Sequence, residues 1–82
     1  MEKYYITFRS VTYGQKGERA LKKEGMDCIL CRAPRWMEQK GCGYALVVRE
    51  PQKAVEILKH SHAAYERVFA VQGNQGRELK GL

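Results

Sequence analysis

Gly43-Tyr44-Ala45-Leu46-Val47-Val48 is the strongest strand pattern in this chain, and what flanks it decides the fold. Downstream, Glu50-Pro51 opens a helix, because proline is tolerated at the first helical position. Ala54, Ile57, Leu58 and Ser61 give that helix one packing face at the expected spacing. Arg67 to Val71 reads as a further strand. Upstream, residues 35–41 form a loop or a single helical turn, preceded by a turn region at Arg32-Ala33-Pro34-Arg35 and a strand from Met26 to Cys31. Ser10 or Thr12 can cap a helix running through Glu18, Ala20, Leu21 and Lys23, with Gly25 as its stop. Gly14 and Gly17 weaken that helix by roughly 1 kcal/mol each relative to alanine, but suit close packing on a sheet. The first strand is Tyr4-Tyr5-Ile6-Thr7-Phe8, aromatic and β-branched.

The resulting order is β-α-β-β-α-β. Right-handed crossovers of two such split units give an α+β, ferredoxin-like sandwich: a four-stranded antiparallel sheet with both helices on one face. Residues 1–71 are expected to form this single domain, and residues 72–82 a flexible polar tail. Tyr4, Tyr5, Phe8 and Phe69 are expected in the core. The face without helices is left for solvent, a ligand or a second copy of the chain.

Composition narrows the function. The chain has 82 residues, 15 Lys and Arg against 9 Asp and Glu, and a formal charge of +6. A domain this small buries only about 60–65% of the surface that its unfolded chain exposes, which leaves no room for a cleft between lobes or a doubly wound nucleotide-binding sheet. No apolar run approaches a membrane span, and Met1-Glu2-Lys3 leads into a strand without an export-type apolar region. Cys28, Cys31 and Cys42 are an odd set, which fits free thiols in a reducing cytoplasm. No paired carboxylates, Ser-His-Asp set, P-loop or metal motif can be assembled, so neither a metal nor a cofactor is expected.

The three thiols differ. Cys28 and Cys31 spell C-x2-C, but residues three apart in a strand point to opposite faces and do not converge on one metal. His60 and His62 diverge on a helix. Cys28 reads as a small packing residue, and Cys31, at the strand's end, as a possible secondary thiol. Cys42 lies between Gly41 and Gly43, where a loop enters the strongest strand. Glycines on both sides leave a thiol sterically open. Lys40 and Arg35 are on the same loop, and cationic neighbours favour the thiolate. Cys42 is the expected reactive residue, with Gly41, Gly43, Lys40, Arg35 and Pro34 in support.

The string Arg32-Ala33-Pro34-Arg35, a short loop, then Cys42-Gly43-Tyr44-Ala45-Leu46 resembles the small selenium/sulfur carrier-like family of bacteria and archaea. The resemblance spans about residues 4–70 and includes the aromatic strand Tyr5 to Ser10 and the helix ending at Gly25. Where the family pattern has small or hydroxyl residues before the cysteine, this chain has Trp36, Met37, Glu38, Gln39 and Lys40. The resemblance implies a persulfide or selenopersulfide held on Cys42 and passed to an acceptor protein. A cysteine-desulfurase-type donor would load it, with no catalysis beyond thiol exchange. Trp36 is then a lid over the thiol or a partner-docking residue.

A second reading comes from Lys40-Gly41-Cys42-Gly43-Tyr44-Ala45-Leu46-Val47, which is close in spelling to the RNP1 octamer of RNA-recognition motifs. It implies single-stranded RNA stacked on Tyr44 and Tyr5. An otherwise aliphatic sheet face offers little of the roughly 1–3 kcal/mol per base that stacking supplies, which argues against nucleic acid as a partner. A structural dimerisation domain, paired through the open sheet face, is the third reading.

Overall fold

The computed structural model describes residues 3–37, 43–73 and 75–80. Its elements in chain order are β1 (Lys3–Phe8), α1 (Val11–Lys23), β2 (Ile29–Arg32), a 3-10 turn (Arg35–Met37), β3 (Tyr44–Val48), α2 (Pro51–His60), β4 (Tyr65–Gln72) and β5 (Gln75–Leu79). The strands form one antiparallel sheet in the order β2-β3-β1-β4-β5. Two interleaved split units account for β2-β3-β1-β4. The fifth strand corrects the four-stranded expectation: residues 75–79, polar enough to read as a loose tail, pair with β4 from Gln72↔Gln75 to Val68↔Leu79. Backbone hydrogen bonds are indifferent to side-chain polarity, and only Leu79 of the strand packs against the core. The sequence signal for it was present. The dipeptide Gly73-Asn74 is, as sequence, of a type that signals a hairpin turn.

Local chemistry explains the helix boundaries. The Ser10 side chain accepts a hydrogen bond from the Tyr13 N–H at 3.3 Å and caps α1. Its other end closes through Gly25, whose φ of 81° needs glycine, with Gly25 N–H donating to Lys22 O and Met26 N–H to Leu21 O. The end of α2 repeats this closure without glycine: His62 takes φ 57°, and Ala63 N–H donates to Leu58 O at 3.0 Å.

Both helices cover the same side of the sheet. Leu21 of α1 and Ala54, Val55 and Leu58 of α2 bury one cluster with Ile6, Phe8, Leu46, Val48 and Val68. Gly17 lets the helices come this close, because a Cβ there would lie 2.9 Å from Leu58 and 3.0 Å from Phe8. Tyr4 packs against this cluster, whereas Tyr5 joins a second one on the opposite face with Ala33, Met37, Ala45 and Phe69. That face has no α-helix; the 3-10 turn lies over part of it.

Candidate functional site: the thiols and the turn before residue 38

The expected strand from Met26 to Cys31 is observed as Ile29–Arg32, so Cys28 precedes β2 and Cys31 lies within it, and the two described thiols are on opposite sides of the sheet. Leu30 pairs with Leu46, in the helix-side cluster, and Cys31 pairs with Ala45, in the opposite one. Cys28 joins the helix-side core at 7% exposure, its Sγ 3.8 Å from the Glu18 carbonyl. Burial pushes its thiol pKa up, and the Glu18 carboxylate adds to the rise. Cys31, half-buried on the other face, is also pushed up by burial, with Lys3 pulling the opposite way. Neither is therefore prepared as a thiolate at neutral pH. Among the described residues, no three His, Cys, Asp or Glu side chains are grouped to hold a metal ion.

Cys42, Gly41 and Lys40 lie outside the described residues; their flanks are described. On one side, the Pro34 carbonyl accepts a hydrogen bond from Met37 N–H at 2.9 Å, closing the 3-10 turn. Pro34 is half-buried, Arg35 exposed and Met37 buried. On the other side, Gly43 has φ 75°, a left-handed conformation in which a side chain is strained. Its carbonyl accepts from Ala33 N–H at 2.8 Å, which continues the β2–β3 ladder by one rung. Gly43 thus has a backbone task beside the expected one of leaving the thiol open.

Trp36 packs edge-on against Phe69, with ring centroids 5.4 Å apart and planes at 86°, and keeps 47% of its surface exposed. The far edge of the indole, Cη2 and Cζ2, fills the place where a side chain at Gly76 would stand. Sequence reasoning left the role of Trp36 open, because its partners come from β4 and β5, more than thirty residues away.

The register also corrects the RNA-binding alternative. On β3, Ala45 faces the open side while Leu46 and Val48 face the helices, so alternation turns Tyr44 toward the helix side. The Arg32 guanidinium lies over its ring, 5.5 Å from the centroid. Tyr5 belongs to the other face. The two rings cannot share one stacking platform.

A family model described as "Putative Se/S carrier protein-like" matches residues 3–70. The chain belongs to this family. A curated relative, the "Putative sulfur carrier protein" of Aquifex aeolicus (strain VF5), is 33% identical over 76 residues. The alignment covers 88% of this chain and 38% of that protein, so the chain spans well under half of its relative's length. No solved structure matches. The carrier family's match ends at residue 70, and β5 falls beyond it. Among the described residues no helix is long and apolar enough to cross a membrane.

Proposed function

We propose that this chain is a sulfur or selenium carrier that holds the cargo as a persulfide or selenopersulfide on Cys42. Membership of the Se/S carrier-like family is the observation that carries the reading. The choice of thiol rests on contrast: burial raises the pKa of Cys28 and of Cys31, whereas Cys42 stands between two glycines with Lys40 two residues away and Arg35 nearby in sequence. Pro34 starts the turn that leads into this segment, and Gly43 ends it on the β2–β3 ladder.

Loading is a thiol exchange. The Cys42 thiolate attacks the terminal sulfur of a donor persulfide, a new S–S bond forms, and the donor's own S–S bond breaks. The donor sulfur leaves as a thiolate, and the proton stays on the transferred sulfur, so no external oxidant or reductant is needed. Delivery repeats the exchange with an acceptor thiol. The donor is of the cysteine-desulfurase type, and the carrier works in a reducing compartment, which the cytoplasm provides. The uncovered part of the sheet face, where Tyr5, Cys31 and the exposed Ile29 lie, is the surface offered to a partner or to a second copy.

Intact-mass spectrometry after incubation with a desulfurase and cysteine tests the reading. An adduct of about 32 Da, labile to reductant, is expected on the wild type and absent from Cys42→Ala. The same adduct on Cys42→Ala, or none on the wild type, removes the proposal.

A further inference from the structure

Gly76 is a glycine that its own backbone does not explain. It lies inside β5 without a left-handed φ, and glycine in a strand costs roughly 0.5–1 kcal/mol against alanine. What excludes a side chain there is Trp36: Cη2 and Cζ2 of the indole already occupy the space. The same ring meets Phe69 of β4 edge-on. Trp36 is the only tryptophan in the chain and lies two residues before Glu38, where the cysteine-bearing segment begins. Met37, the last described residue before that segment, is buried against Ala33, Ala45 and Phe69. The segment's return at Gly43 is fixed separately, to Ala33.

We infer that Gly76 is the seat of Trp36, and that the C-terminal hairpin thereby holds the turn Arg35–Met37 that precedes Cys42 in sequence, making Trp36 and Gly76 positioning residues for transfer at Cys42. The last step rests on the carrier reading; the seat itself does not. Of the residues flanking the segment, Trp36 is held by β4 and β5, Met37 packs against Ala33, Ala45 and Phe69, and Gly43 is tied to Ala33 beside β2. Removing the β5 contact leaves the exit tied and takes away one of the contacts that hold the turn Arg35–Met37, while Met37 keeps its place against Ala33, Ala45 and Phe69.

The test is Gly76→Val in the full chain. A valine side chain unseats the indole, so Trp36 emission is expected to move to the red. Trypsin cleavage after Arg35 is expected to rise roughly tenfold relative to cleavage after Lys59, as local opening without global unfolding requires. Desulfurase-driven loading of Cys42 should fall roughly tenfold, because transfer between proteins needs a positioned thiol, while alkylation of Cys42 by iodoacetamide persists. Unchanged emission and cleavage overturn the seat, as does an equal rise in cleavage at every site. A red-shifted variant that loads like the wild type overturns the positioning role. If the wild type itself fails to load, the carrier reading falls, and emission and cleavage still decide the seat. As a second check on the contact, Gly76→Val is expected to lower the thermal midpoint in the wild-type background but not in Trp36→Leu; an equal drop in both overturns it.

Discussion

The two faces of the one sheet are finished in different ways. On the helix side, two α-helices close a continuous apolar cluster in which Ile6, Leu21, Leu46, Ala54 and Leu58 are fully buried. On the other, a three-residue turn covers a small cluster, Trp36 stays half exposed, and Ile29 is 66% exposed. Stability is concentrated on the first face. The second keeps little apolar area from water, so its covering can open locally at low cost. The turn Arg35–Met37, the last described stretch before residue 38, belongs to this second face.

The largest expected effect separates the faces directly. Phe8→Ala empties a fully buried site against Gly14 and Gly17 and is expected to destabilise by about 3–5 kcal/mol. Trp36→Ala, from a half-exposed ring, is expected to cost roughly 1–2 kcal/mol. Urea denaturation of both variants checks the contrast, and similar losses would erase it. A smaller effect sharpens it within the helix face. Gly17→Val drives a branched side chain into Leu58, Phe8 and Leu46 and is expected to cost roughly 1–3 kcal/mol. Gly14→Ala meets only the Leu30 Cδ1 inside 3.4 Å, and the helix propensity gain of about 1 kcal/mol offsets that crowding; thermal midpoints distinguish the two.

The smallest effect is a pH dependence. Burial raises the native pKa of Cys28 and Cys31 above that of the unfolded chain. Their contribution is therefore complete below the ordinary thiol pKa and is lost as pH rises through the raised native values. Urea midpoints are expected to fall on the alkaline side, with a shallower fall in Cys28→Ala. A midpoint that climbs over that range contradicts the burial of these thiols.

Several features were legible residue by residue. Ser10 as a cap, Gly25 as a stop and Pro51 at the first turn of α2 follow from backbone chemistry within a few positions. The divergence of Cys28 and Cys31 was expected from strand alternation and is observed, although Cys28 itself precedes β2. The face of Tyr44 was not legible, because it depends on which parity of β3 meets the helices, and both parities there are apolar apart from the ring. The strand β5 was hidden by composition, since Gln75-Gly76-Arg77-Glu78 carries no apolar pattern and is held mainly by its pairing to β4.

The sequence by itself determined the order of the first four strands and the two helices, and the family, because these rest on local propensity, apolar spacing and motif order. Only the tertiary structure decided the fifth strand, the separation of Tyr5 from Tyr44 and the seating of Trp36 on Gly76. Each of those is a contact between residues far apart in the chain, and its free energy comes from pairing and packing that no local window contains.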